Sequence, residues 1–443
     1  MSIPTAAVKK SVLISGGSIA GPACAFWLNK YGFKTTIVER WPELRPGGQS
    51  IDVAHYGMEA IKRMNLQSEL EARFTGEKGT TITDLHNVPY MSLPVGHGPT
   101  NETEILRGDF ADMLYQQTKQ TTDWRFGDYV TSIKEEEQEG DGKGKVKVGF
   151  KSGKEEEYDY LIIAEGARSW TRKLVMKEEA EVKYKPIGAY IAYFSIPFTP
   201  STPYQDQWHM ISLPRQRLIY FRPDFKNQTQ RAGVMFMTPE SKGYEKLSAT
   251  EQKEIIKEIY KDGGENAKRM LEHIDQSDDL YFEYLVQVHA DRWSTKSGRV
   301  YVVGDSAWCG TPMIGMGCSL SVAGAYILSG ELAKHINEPK KAAEEYERLW
   351  RPTVTEAQKL PPGIPRILFQ ESDWGVKVYL NIMTAVGWIF GSRVVQYITP
   401  YLSSGWTKMF PSEESKTLPE YGEYIVKGDD VNKVSLAQAS KGT

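Results

Sequence analysis

Three stretches carry residue types and spacings that suit chemistry. The first is ISGGSIAGPACA, Ile14 to Ala25. Gly16 and Gly21 fill the outer positions of the G-x-G-x-x-G turn that brings a backbone close to a dinucleotide pyrophosphate. Ser18 stands at the middle position, with Ile19 beside it. Serine adds only a small side chain, its hydroxyl can donate to a phosphate oxygen, and its N–H stays available at a helix start, where the dipole favours an anion. Glu39 follows about 20 residues on, the distance at which an acid accepts from ribose hydroxyls, and Arg40 is its neighbour. The second stretch runs from Gly298 to Leu332 and contains Gly304-Asp305, then Pro312, Gly315 and Gly317. The third, DYLIIAEGARSWTR, holds Glu165, Gly166, Ser169 and Arg172.

These residues need particular elements beneath them. Ser11 to Ser15 reads as a buried strand, Ile19 to Tyr31 as a helix, Gly32 as its stop, and Lys34 to Arg40 as a β-branched second strand. Together they form a βαβ unit. In the second stretch, a strand over Val300 to Val303 precedes the Gly-Asp turn, and a helix follows the glycine-rich loop. In the third, a strand ends just before Glu165.

The whole chain sets bounds on the partners. Its 443 residues, 40% of them hydrophobic, can bury a large core in two or three domains. A net charge of -3 argues against nucleic acid, which demands a concentrated basic face. Cys24, Cys309 and Cys318 are too few for a disulfide framework and are not spaced as metal ligands, so no metal site is expected. No apolar run approaches the roughly 20 residues of a membrane span, and MSIPTAAVKK lacks a signal-peptide core. The expectation is a soluble, cytoplasmic protein without membrane contact.

The Gly298–Leu332 stretch resembles the GD motif of the class A flavin-dependent monooxygenases, the para-hydroxybenzoate hydroxylase-like fold with its tetracycline-inactivating and polyketide-hydroxylating branches. The resemblance implies that Asp305 holds the ribityl or ribose part of FAD. It also implies that the loop from Pro312 through Gly315 to Gly317 runs beside the isoalloxazine ring, where glycines let N–H groups approach the flavin closely. The Asp159–Arg172 stretch resembles the family's DG motif, with Glu165 in place of the usual aspartate. GGQSIDV, Gly47 to Val53, resembles the segment that passes the ring and implicates Gln49 and Asp52. ILRGDFADMLY resembles the helix whose leading arginine, here Arg107, reaches FAD. The matches span Val12 to Leu332 in family order.

The resemblance predicts an α/β fold: a Rossmann-like FAD-binding domain assembled from 1–75, 102–178 and 290–355, with an inserted β-sheet substrate domain from 76–101 and 179–289. GAYIAYFSI, RLIYFRP and AGVMFMT supply strands of that sheet, and a helical stretch covers about 249 to 274. Glu135 to Lys145 reads as a solvated hairpin turn. A C-terminal helical segment spans 356–410, and Val376, Tyr379, Leu380, Met383, Phe390, Val394 and Ile398 form one apolar face. That face suits core packing first, a lid between the domains second, and a membrane-interfacial helix last. A polar tail, 411–443, is expected to be poorly ordered.

In such enzymes the flavin performs the hard step. The resemblance implies reduction by NADPH or NADH, reaction with molecular oxygen to a C4a-hydroperoxide, and oxygen transfer to a small aromatic or polyketide-type, polycyclic substrate. The protein then supplies position and a group that favours the phenolate or enolate. His209, Tyr220 and Arg222 are candidates, and Tyr220 and Arg222, two apart on a strand, should share a face. The alternatives are an FAD-dependent oxidase, dehydrogenase or cyclase on the same scaffold, or a non-catalytic binding protein that retains the fold. The W-x-W-x-I-P motif of flavin-dependent halogenases is absent.

Overall fold

A computed structural model describes residues 10–391 and 417–426, apart from 46–47, 97–99, 101–102, 137–143, 178–179, 201–202, 227 and 361. The apolar run Ser11–Ser15 forms the centre of a five-stranded sheet. Its neighbours are Lys34–Glu39 and then Thr122–Phe126 on one side, and Tyr160–Ile163 and then Val300–Val302 on the other. Every pairing in this sheet is parallel. Parallel strands are covered on both faces and so read as unbroken hydrophobic runs; VLI and LII accordingly have no exposed surface. The helices Ala20–Lys30 and Gly317–Lys334 pack on this sheet and on each other.

The second layer is a seven-stranded sheet in the order Tyr281–Ala290, Val182–Pro197, Thr229–Met237, Arg217–Asp224, Trp208–Leu213, Gly79–Thr83, Pro89–Pro94. Its strands alternate, so it has two distinct faces. Tyr190, Phe194, Ile219, Phe221, Val234 and Phe236 form one, buried under Ile256, Tyr260 and Met270 of two helices. The helical stretch expected over 249 to 274 is in fact two helices, Ala249–Tyr260 and Gly264–His273. The break follows from the Gly263-Gly264 pair, where Gly264 adopts φ +75°. Ile191, Tyr193, Leu218, Tyr220, Met235 and Leu285 form the opposite face.

The C-terminal helix, Asp373–Gly391, sets Val376, Tyr379 and Leu380 against Ile82, Met91 and Leu93 of the edge hairpin. This is the apolar face the periodicity indicated; the Phe390 side chain, Val394 and Ile398 lie outside the described residues. So does most of the Glu135–Lys145 turn, although the strands it joins, Val130–Glu136 and Lys145–Phe150, do pair antiparallel. Among the described residues, no helix is long and apolar enough to cross a membrane.

The expectation of a loose tail fails for 417–426. Leu418 and Tyr421 are buried in the core of the parallel-sheet layer. Tyr421 fits against Gly330, where a Cβ would come within 2.2 Å of its ring, and donates to the buried Glu331 at 2.5 Å. Arg63 donates to the Leu418 and Pro419 carbonyls at 2.9 and 2.7 Å. Two apolar anchors in a polar sequence are enough to dock it. Tyr421→Ala should therefore cost about 3 kcal/mol of stability, the scale for truncating a buried aromatic. Thermal melts would register a clear fall, larger than for Tyr421→Phe; an unchanged melting temperature would show that the anchor contributes nothing.

Candidate active site

The glycine turn is built by close approach. Gly16 has φ +114°, and a Cβ there would stand 2.4 Å from the Ala164 carbonyl oxygen. A Cβ at Gly21 would stand 2.0 Å from the Gly16 carbonyl oxygen. Only glycine can occupy either position. The helix that follows starts at Ala20 with Ile19 at its N-cap, no side-chain cap bond and no acid in its first turn. Its N–H groups and positive dipole end are thus offered to an anion, which suits the pyrophosphate of an adenine dinucleotide.

Other expected contacts converge here. Arg107 Nη2 donates to Ser18 Oγ at 2.9 Å. The Arg107 backbone N–H donates to the Gln49 carbonyl at 3.0 Å, because Ser50–Asp52 pairs antiparallel with Glu104–Leu106. Asp305 opens the short helical turn after Val300–Val302; burial raises its pKa and Arg107 opposes the rise. Cys318 feels Arg107, Asp305 and Asp52 together, and burial pushes its thiol up to about 12. A cation, two acids and a hydroxyl from four separate stretches therefore lie close together. Glu39 accepts from the Gly17 N–H at 2.7 Å, and Arg40 lies over the Tyr129 ring at 5.8 Å. The glycine-rich loop carries Pro312, Gly315 (φ +64°) and Gly317, and its Met313 joins the Tyr193–Tyr220 face of the large sheet.

Three expected residues turn out to do something else. Glu165 accepts from the hydroxyls of Ser15, Ser169 and Thr171 and from the Thr171 N–H at 2.9 Å. Both carboxylate oxygens are occupied in joining the first strand to the Trp170–Met176 helix. His209 stands opposite Phe221 and so lies on the helix-covered face. Its Nε2 is 2.8 Å from Thr83 Oγ1, and burial, with Arg269 nearby, lowers its pKa to about 3. It cannot face a substrate across the other side. Arg222 shares the face of Tyr220, as alternation requires, but is held between the buried carboxylates of Glu77 (2.9 Å) and Glu104, over the Trp208 ring. Tyr220 lies on that same face without an acid to hold it, its ring lying across Gly233.

The same region also holds Tyr193 and Glu283, which the motifs did not reveal, and two arginines from the third stretch. Tyr193 stacks on Tyr281 at 4.7 Å, and burial lifts its hydroxyl pKa while Arg107 opposes the lift. Arg172 reaches the Ser306 and Ala167 carbonyls and so ties two motifs together. Arg168 pairs with Glu283 at 2.9 Å. A single acid in the apolar run YFEYLV was the available signal for Glu283.

Asp305 and Glu165 should therefore respond differently to removal. Asp305→Ala should weaken FAD binding roughly 10- to 100-fold, the worth of one or two charge-assisted hydrogen bonds, with little change in melting temperature. Glu165→Ala should mainly destabilise the protein, because four donors lose their acceptor. FAD titration and thermal melts of both variants check the separation; equal affinity losses would refute it.

The family described as FAD binding domain matches residues 9–358. Monooxygenase CTB7 of Cercospora beticola is 30% identical over 427 residues, covering 90% of this chain and 99% of the relative. Flavin-dependent monooxygenase eupH of a Phoma species is 30% identical over 443 residues, covering 94% and 98%. Among solved structures, the tetracycline destructase Tet(51) superposes with a TM-score of 0.73 at 27% identity, covering 94% of this chain and all of that one. With a cradle that only glycine permits and family likeness over most of its length, the chain belongs to the FAD-binding-domain family and is an FAD-dependent monooxygenase.

Proposed function

We propose that this enzyme hydroxylates a flat, polycyclic phenol or enol, of aromatic or polyketide type, with NADPH or NADH as reductant and molecular oxygen as co-substrate. The observation that carries the reading is the meeting of Met313, from the glycine-rich loop, with Tyr193, Leu218, Tyr220, Met235 and Phe369. A broad aromatic wall thus faces the loop expected at the flavin ring, and it suits a bulky, flat ligand. The name of the tetracycline destructase supports the same class, since tetracycline is a fused-ring phenol and enol. FAD, when bound, supplies electron storage and oxygen activation.

The chain's own residues do the rest. The Gly16–Gly21 turn, Ser18, Arg107 and Asp305 hold the cofactor, with Glu39 and Arg40 toward its adenosine end and Gln49 and Asp52 toward the ring. Tyr193 and Tyr220, kept protonated by burial, donate hydrogen bonds to the substrate. The division of labour follows the discontinuous domains: the five parallel strands come from 1–75, 102–178 and 290–355, and the strands of the large sheet from 76–101 and 179–290. Three free cysteines suit a reducing compartment such as the cytoplasm.

The test is NADPH and NADH oxidation screened against polycyclic phenols, with mass detection of product. A gain of one oxygen atom supports the proposal; loss of hydrogen without oxygen gain replaces it with a dehydrogenase. Excluding water is the second requirement. The C-terminal helix meets Met210 and Leu368, which also border the cleft face. Leu380→Ala, which loosens that helix from the hairpin, should raise hydrogen peroxide formed per NADPH consumed and leave FAD affinity within about twofold, since local packing alone is lost. Unchanged coupling would exclude the helix from water exclusion.

A further inference from the structure

The strand Tyr281–Ala290 places Tyr281, Glu283 and Leu285 on the same face. Tyr281 and Leu285 belong to the apolar wall of the cleft, and Glu283 stands between them, opposite Ile191. An acid so placed must be paired to be tolerated. Its partner is Arg168, whose Nε meets Oε1 at 2.9 Å and which is itself 43% exposed at the rim. Among the described residues, no other group donates to this carboxylate.

We propose that Glu283 is the proton acceptor for the substrate's hydroxyl, so that the cleft takes a flat polycyclic molecule carrying an ionisable phenol or enol. This rests on the reading of the cleft as the substrate site. The O–H bond of the substrate breaks, its proton passes to a Glu283 carboxylate oxygen, and the electron pair stays on the substrate oxygen. The adjacent ring carbon becomes electron-rich, as oxygen insertion demands. The proton leaves along the exposed Arg168 rim, and no oxidant or reductant is involved.

The alternatives are otherwise engaged. His209 is on the far face, Arg222 is held by two acids, and Tyr220 remains a donor. The groups facing Glu283 are Arg168 ahead of the Trp170–Met176 helix, Glu245 in the Tyr244–Lys246 turn, Asp305 and Cys309 around the Gly-Asp turn, and Tyr193 on the adjacent strand. Burial raises the Glu283 pKa most, Arg168 opposes this, and Asp305 and Glu245 add to it. The carboxyl is thus a stronger base than in water, closer to what a general base at neutral pH requires. Because the base form exists only above this raised pKa, kcat/KM should climb with pH through it.

Alizarin, a flat polycyclic dihydroxy dye whose visible band reports ionisation, is the probe, titrated into the FAD-loaded protein over a range of pH. If dye and Glu283 hold one proton between them, binding takes up a proton once both are ionised. The wild-type dissociation constant should then rise about tenfold per pH unit. Glu283→Gln should flatten this dependence, Glu283→Asp should retain it, and FAD affinity should stay within about twofold in both. A flat wild-type profile, an equally steep profile in Glu283→Gln, or no alizarin binding to the wild type would each overturn the proposal. Should Glu283→Gln lose FAD, the wild-type and Glu283→Asp slopes decide. Oxygen gain by product mass is scored separately: its absence with the slopes as expected defeats the hydroxylation reading alone, and its presence with flat slopes defeats the role of Glu283 alone.

Discussion

The approach of Gly16 to the end of the Tyr160–Ile163 strand governs the rest of this structure. With 2.4 Å between a hypothetical Cβ and the Ala164 oxygen, Gly16 has no room for a side chain. That contact fixes where the first strand ends, and so where the Ala20–Lys30 helix begins and points. Ser18 then falls within reach of Arg107, and Arg107 within electrostatic reach of Asp305. Glu165 holds the arrangement from behind, joining Ser15 to Thr171. The anion site is thus a property of strand packing, and its residues inherit their positions from it.

What was legible in the sequence follows from the range over which each signal acts. The Gly16–Gly21 turn, the flanking strands and Asp305 are local: backbone conformation at a turn is set by the residues of that turn. Arg107 was legible only through family order, since nothing near it in sequence says that it meets Ser18. The partners of Glu165 were not legible, because sequence gives the charge of a side chain but not its direction, and here the carboxylate accepts from Ser15, Ser169 and Thr171. Tail anchoring by Leu418 and Tyr421 was invisible for a related reason. Two buried residues in a short polar segment leave no periodicity, and the notch at Gly330 that receives the ring lies far away in sequence.

The large sheet shows the same limit more sharply. Alternation placed Tyr220 and Arg222 together, yet it does not say which face is covered by helices. That choice is made by Ile256, Tyr260 and Met270, whose packing claims the side bearing Phe221 and with it His209. Once the choice is made, Tyr193, Tyr220 and Glu283 must all face the cleft. One assignment of faces therefore removes a candidate and supplies two others.

Guanidinium groups tie the two layers to each other. Arg168 crosses from the Gly166–Ser169 turn to Glu283 and Glu245, and Arg172 from the same region reaches the Ser306 carbonyl on one side and the Tyr184 hydroxyl on the other. Arg222 crosses in the opposite direction, from the large sheet to Glu104 beside Arg107. The buried Arg222–Glu104 pair adds little net stability, but removing one partner strands a charge and costs about 3–5 kcal/mol. The effect of such ties is therefore to forbid alternative dockings of the sheets. Ties of this kind can keep the aromatic wall and the Arg168-paired carboxylate of Glu283 at a constant distance from the cofactor cradle.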